Sequence, residues 1–314
     1  VSASQWIRKA SLIVGDSSNA LDLSDLRFRF VVRQQDTQTP NNADIRVYNV
    51  SDATAKQARA WQEGGTVVIQ AGYGGNFGTI FRGSIIQVRV GKESPVDSYI
   101  DITAGDGDLG YTLAKVAKSF AAGSSVKDHV SASLEAMAPY GVTRGWMPDD
   151  LPAKPLPRGK VMFGLARDCM ETSCRTASAD WTIRNGALEV IDKLAYLPGD
   201  VVVLTSATGL VGFPEQQIDG VHARALMNPA IVAGRAIQID NRSVQEYRLP
   251  IDVGGTAQWG FVPKLDADGY YRALVVEHRG DTRGHEWHTE VIGVALADPV
   301  PVALLPKLVI KPGV

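Results

Sequence analysis

The chain has 314 residues, 45% of them hydrophobic and 21% charged, a balance that fits a folded protein and excludes one disordered throughout. Its 32 basic and 34 acidic residues leave a formal net charge of -2, without the basic footprint that phosphate neutralisation demands, so sequence-specific nucleic-acid binding is disfavoured. No uncharged apolar run reaches the roughly 20 residues that span a bilayer, and residues 1–26 lack a signal peptide's apolar centre, so no membrane partner is expected.

The length exceeds that of a usual single domain, which predicts two or three compact units. Leu26, Phe28, Phe30 and Val32 put apolar groups at every second position, the period of a half-buried strand. A polar stretch from Arg33 to Asn42 follows, then Ile45 and Val47, which together predict a hairpin with a long tip. Ser51 or Asp52 can cap a short helix over 53–61, ending before Gly64 and Gly65. Thr66 to Gln70, Ile80 to Val90 and Ser98 to Thr103 are β-rich runs separated by glycine turns.

From Leu109 the period changes. Leu109, Leu113, Val116 and Phe120 recur at helical spacing, and Val126, Val130, Leu134 and Met137 repeat it after Gly123. A proline-rich connection leads to Met162, Leu165, Ala166, Cys169 and Met170, which predict a third amphipathic helix. The two cysteines, Cys169 and Cys174, lie in this helical pattern and point to different sides, so they read as reduced thiols in a protein assembled in a reducing cytoplasm. Asp180 to Ile183, Asn185-Gly186 and Leu188 to Ile191 form the clearest two-residue hairpin signal.

Val201 to Thr205, His222 to Met227, Arg235 to Asp240, Tyr270 to His278 and Glu286 to Val294 return to strand character, and the proline-bearing tail after Pro299 reads as an extended arm. Part of the second strand group echoes the first. Gly65 before Thr66–Ile69 parallels Gly234 before Arg235–Ile239, and Phe81-Arg82-Gly83 parallels Tyr271-Arg272-Ala273, each leading to a glycine turn and a returning strand. A duplicated β-domain is the reading, although any two antiparallel meanders share such an order. Duplication lets three copies build a six-fold-like ring.

Several of these segments resemble one family. Ala71-Gly72-Tyr73, the glycine-rich tip and Ile80-Phe81-Arg82-Gly83-Ser84-Ile85 look like the first tube-like barrel of baseplate hub proteins of contractile-tailed phages, with type VI secretion spike hubs as distant relatives. Ala207 to Pro214, Leu226-Met227-Asn228-Pro229, Gly234 and the closing hairpin His278 to Gly284 with Trp287 and Thr289 carry the same likeness, in order, over most of the chain. The resemblance implies a mainly β (α+β) chain of two tail-tube-like antiparallel barrels, at 1–106 and 200–300, with a helix-rich α+β insert at 107–199 and a C-terminal arm at 301–314. It implies a structural homotrimer in the virion's tail baseplate, assembled in the host cytoplasm. Its partners would be the tail tube or tube initiator, the central spike and other baseplate proteins, around a channel for DNA or the tape-measure protein. No lysozyme-like domain is fused to the chain, so no lytic role carries over.

Enzymatic sites find little support. His285 and His288 are three apart in a predicted strand, which sends them to opposite faces, whereas a zinc helix needs two histidines four apart; His278 could pair with one of them across strands. Arg279-Gly280-Asp281 is an adhesin-like tripeptide that a hairpin tip favours for backbone reasons. Gly72 to Gly78 lacks the Gly-Lys-Ser/Thr ending of a phosphate loop and reads as a strand connection at an inter-subunit contact. Asp97, Asp101, Asp106 and Asp108 read as solvated loop acids, too few for a calcium shell and without an assignable acid–base pair. No Gly-x-Ser-x-Gly elbow is present.

The expectation is therefore a non-enzymatic protein without catalytic, cofactor or metal residues. Its interface aromatics are expected at Tyr73, Phe77 and Phe81 near the first glycine tip and at Trp259 and Phe261 in the later insertion, with core packing as the alternative for each. Two other readings stand beside it. One is a tail-associated cell-wall hydrolase, motivated by the loop acids, and the other is a receptor-binding or adhesin module, motivated by the exposed loops.

Overall fold

A computed structural model describes residues 7–16, 19–37, 39–61, 64–149, 151, 154–246 and 263–296. The chain begins with β1 (Arg8–Gly15), the short β2 (Ala20–Asp22), β3 (Phe28–Gln35) and β4 (Asn42–Tyr48), and continues into α1 (Asp52–Ala60). Ser51 is the cap, its hydroxyl accepting the Thr54 N–H at 3.1 Å. Then come β5 (Thr66–Tyr73), β6 (Asn76–Lys92) and β7 (Ser98–Gly105).

These strands wrap one core. β3 turns Phe28, Phe30 and Val32 inward, β4 turns Ala43, Ile45 and Val47, β5 turns Val67, Ile69 and Ala71, and β7 turns Ile100, Ile102 and Ala104; all pack together with Leu12 and Val14 of β1. The period of two seen in the sequence is the cause, since alternate side chains share a face. β1 and β2, before Leu26, carry a weaker pattern that the sequence did not mark.

The insert holds α2 (Asp108–Leu113), β8 (Lys115–Phe120), α3 (Val126–Met137), β9 (Thr143–Arg144), β10 (Lys160–Leu165), α4 (Ala166–Thr176), β11 (Ala179–Arg184) and β12 (Ala187–Asp192). Its own core gathers Val116, Val130, Met137, Met162, Met170, Cys174, Trp181 and Leu188, among others. The helix expected over Leu109–Phe120 is corrected to a six-residue helix followed by a strand, because Val116 and Phe120 pair across to Gly164 and Lys160. Met162 and Leu165 likewise belong to β10, and the helix starts only at Ala166. The β11–β12 hairpin forms as expected, with φ of 52° at Asn185 and 79° at Gly186, the paired left-handed conformations of a type I′ turn.

The remaining strands are β13 (Leu197–Leu204), β14 (Leu210–Gln217), β15 (Gly220–Leu226), β16 (Arg235–Ile239), β17 (Tyr270–Asp281) and β18 (Trp287–Val294). A third core, including Val221, Ile237, Tyr271, Val276 and Val291, lies under them.

The mainly β architecture with an α+β insert is the one observed. The two strand groups are not separate barrels, however: thirteen strands form one ladder, in the order β14-β15-β18-β17-β3-β4-β7-β6-β5-β1-β2, with β13 and β16 branching from β17. β17 is long enough to do both jobs. Tyr270 to Arg272 pair with β16, and Val275 to Asp281 pair with β3, so the strands around Phe81 and Tyr271 lie in one continuous sheet. The shared order of the two meanders is nevertheless present: Ile69 faces Phe81 and Ile237 faces Tyr271, one residue out from the overlay of Gly65 on Gly234. Both meanders then bulge, between Ile85 and Gln87 and between Ala273 and Val275.

Candidate functional site

The aromatic candidates separate by strand parity. Tyr73 and Phe81 are buried in the first core, 5% and 1% exposed, so they pack inward and offer no surface to a neighbour; Phe77 is 41% exposed. Trp259 and Phe261, like the C-terminal arm, lie outside the described residues. The base of the glycine tip between β5 and β6 packs on its own chain, while Gly74, Gly75 and Phe77 stay exposed. Asn76 Nδ2 donates to Asn228 Oδ1 at 2.8 Å, a Cβ on Gly78 would touch Pro229, and Trp287 Nε1 points to the Gly72 carbonyl at 3.4 Å. Met227 and Trp287, from the far half of the sequence, complete the first core.

The histidines diverge. His278 is fully buried, its Nδ1 2.9 Å from the Thr289 hydroxyl, and burial pushes its pKa down to about 3, so the ring is neutral. The residue directly opposite His278 on β18 is Thr289, not one of the other two histidines. His288 faces the other side of the sheet, 3.4 Å from Glu290. Arg279-Gly280-Asp281 is inside β17 rather than at a hairpin tip, and Asp281 is held by Arg27 at 2.8 Å and 8% exposed, so the tripeptide is not displayed.

The four acids occupy four settings. Asp97 accepts from Asn49 and Ser94 at the β6–β7 tip, Asp101 lies between Arg46 and Arg89, and Asp108 opens α2. Asp106 corrects the solvated reading: it is 1% exposed and accepts the backbone N–H groups of Asn185 and Gly186. Burial raises its pKa to about 7 against the opposing pull of those two N–H donors.

Asp106 belongs to a polar joint that fastens the insert to the sheet, which sequence spacing did not reveal. Arg272 of β17 approaches Asp36, just past β3, at 2.7 Å, and Asp180 of β11 at 3.7 Å. Its Nη1 donates to the carbonyls of Asp192 and Lys193 at 3.1 and 3.0 Å. Arg272 Nε meets Asp36 off the line of its N–H, so the contact is ionic rather than a directed hydrogen bond. Around it, Asn41 Nδ2 donates to the Ile183 carbonyl at 2.8 Å and Thr182 Oγ1 to the Gln35 carbonyl at 3.1 Å. Arg82, the counterpart of Arg272 in the first meander, is exposed and makes no such joint.

Two surfaces remain open. On the outward face of the large sheet, charges pair across strands: Arg33 with Glu277 at 2.8 Å, Arg224 with Glu290 at 2.6 Å and Arg46 with Asp101 at 2.6 Å. Elsewhere large apolar side chains stand in water, among them Val96 between β6 and β7, Phe163 and Val161 on β10, and Phe213 on β14. The sequence hid Phe163 because its neighbours read as one turn of a helix; its alternation with Met162 was the available signal.

Sequence comparison finds no family model and no curated protein that matches the chain. Solved structures do match its fold. The 43 kDa tail protein of prophage MuSo2 from Shewanella oneidensis superposes with a TM-score of 0.60 at 8% identity, covering 91% of this chain and 98% of that one. A tail protein from Neisseria meningitidis gives 0.55 at 10% identity, covering 93% and 100%. A chain of the Francisella PdpA-VgrG complex in its lidded form gives 0.53 at 7% identity, covering 95% of this chain and 54% of that one. At these identities the likeness is one of fold, and it runs almost end to end.

Proposed function

We propose that this chain, which has the fold of phage tail proteins, is a structural subunit of a contractile tail's baseplate hub. Three copies would form a pseudo-hexameric ring that joins the tail tube to the central spike and surrounds the axial channel. The observation that carries the reading is the fold likeness to a tail protein over 91% of this chain and 98% of the other. The two meanders with matching pairing of Ile69–Phe81 and Ile237–Tyr271 support a pseudo-hexamer built from three chains.

The outward face of the sheet suits a channel wall. Arg33, Arg224 and Arg46 are paired with Glu277, Glu290 and Asp101, so at those positions a passing polyanion meets charges that already have partners. The role is read as architectural rather than catalytic, with the spike, tube and other baseplate proteins as partners in the virion tail.

Light scattering across concentration, followed by negative-stain imaging, tests this. The expected result is a particle of three 33.7 kDa chains with three-fold symmetry and a central opening. A chain that stays monomeric at every concentration, alone and with tube and spike proteins added, overturns it.

A further inference from the structure

We infer that the insert, from α2 to β12, is a separate body latched to the large sheet, and that it undocks as a unit by opening the joint around Arg272 and Asp106 with its own core left whole. The inference goes beyond the hub reading and does not depend on it.

The apolar cores stay apart. Among the described residues no sheet side chain enters the insert's cluster, and no insert side chain enters the other two. The chain crosses between the bodies twice, at Gly105-Asp106-Gly107 and over 193–196; both crossings are short, and Gly107 holds a φ of 63°. Each crossing is fastened by a polar side chain. Asp106, whose own N–H donates to the Asn41 carbonyl at 2.8 Å, reaches from the sheet to the amides of Asn185 and Gly186. Arg272 reaches from β17 to the carbonyls of Asp192 and Lys193, where the chain leaves the insert.

The hairpin does not need what Asp106 holds. Its ladder pairs Arg184 with Ala187, and a two-residue turn leaves the amides between them unused. Those two bonds belong to docking alone.

The joint is also incompletely bonded. Arg272 Nε and Nη2, Asp36 Oδ2 and Arg184 Nε are buried without a directed hydrogen bond, so water entering on opening supplies partners that the closed joint lacks. Opening solvates Arg272 and Asp36 together, whereas a substitution strands one of them. An apolar core gains nothing of the kind from water, so the boundary between the bodies is where the molecule opens first.

Protons belong to the closed state. Asp106 faces Arg184 of β11 and Glu189 of β12, and Asp36 faces Arg272 of β17 with Asp180 and Arg184 of β11. Burial nonetheless pushes Asp36 up to about 6 and Asp106 up to about 7. Both return towards 3.8 on opening, so the closed joint binds protons that the open one releases, and docking weakens as pH rises through about 6 and about 7. An insert that swings on two short crossings changes the surface it shows a neighbour without unfolding either body.

Hydrogen exchange of the full chain, followed residue by residue at about pH 5.5 and about pH 8 and corrected for the intrinsic amide rate, tests this. The Asn185 and Gly186 amides are expected to exchange through an opening that leaves Val190 and Ala166 protected, whose N–H groups donate within the insert to the carbonyls of Trp146 and Ala114. The opening constant is expected to be at least about tenfold larger at the higher pH, and Asp106→Asn, which has no such proton to lose, is expected to abolish most of that rise. Arg272→Met is expected to raise the constant at both pH values while Val190 and Ala166 keep their protection. If Asn185 and Gly186 exchange only when Val190 and Ala166 do, or show no protection at all, the undocking is overturned. A parent opening constant that is the same at both pH values overturns the part given to protons.

Discussion

Arg272 and Asp36 meet 2.7 Å apart with 4% and 2% of their side chains exposed, where the insert joins the sheet. A buried pair broken on one side leaves a charge that nothing compensates. Arg272→Met is therefore expected to cost about 3–5 kcal/mol, read as a fall in the denaturation midpoint. Replacing both partners, as Arg272→Met with Asp36→Leu, is expected to recover much of that loss. An Arg272→Met chain as stable as the parent would show that the joint holds nothing.

Asp106 should shape the neutral limb of stability. Its pKa rises from 3.8 to about 7 on folding, so the folded state favours the protonated acid. The stabilisation is fully present below 3.8 and is lost as pH rises through about 7. Asp106→Asn cannot titrate. Relative to the parent, it should gain stability between pH 4 and 7 at up to about 1.4 kcal/mol per pH unit, measured by urea denaturation at a series of pH values.

His278 acts in the opposite sense at lower pH. Its folded pKa falls from 6.5 to about 3, so the stability it contributes is present above 6.5 and is lost as pH falls towards 3. His278→Gln, which keeps a partner for Thr289, is expected to flatten the acid limb of the stability profile. An imidazole resonance for His278 that titrates near 6.5 in the folded protein would contradict its burial.

Gly280 is set by crowding rather than by backbone angle. A Cβ there would stand 2.5 Å from the Phe30 ring and 2.9 Å from Trp287, whose rings pack edge to face at 5.7 Å. Gly280→Ala should cost about 1–3 kcal/mol by overpacking, visible as a lower melting temperature and altered tryptophan emission.

What the sequence revealed followed from local rules. Ser51 capped its helix, Asn185-Gly186 turned its hairpin, and Phe28, Phe30 and Val32 faced one core because each depends on neighbours a few residues away. Val116 and Phe120 failed because a spacing that fits a helix also fits a strand when another strand lies alongside, and that partner, β10, was far off in sequence. For Tyr73 and Phe81 core packing, the alternative to an interface, is what the fold shows; a glycine-rich tip does not say which side of the strand faces inward. Asp106, Asp36 and Arg272 look like ordinary charges one at a time, and only the fold brings them into one buried joint. The exposed pair of Phe163 and Phe213 was invisible for the same reason, since exposure is a property of the assembled surface.

The pairing of β17 with β3 has a consequence for how the chain comes off the ribosome. Phe30 waits for Trp287, and the free edge of β3 waits for Val275 to Asp281, so the first-made half emerges with an open core and an unsatisfied strand until nearly all of the described chain has been synthesised. Such long-range closure slows folding and leaves a sticky edge exposed in the meantime. The protein is thus built so that its earliest strands are finished by its latest ones, and a ribosome that stalls before β17 releases an aggregation-prone fragment rather than a usable first half.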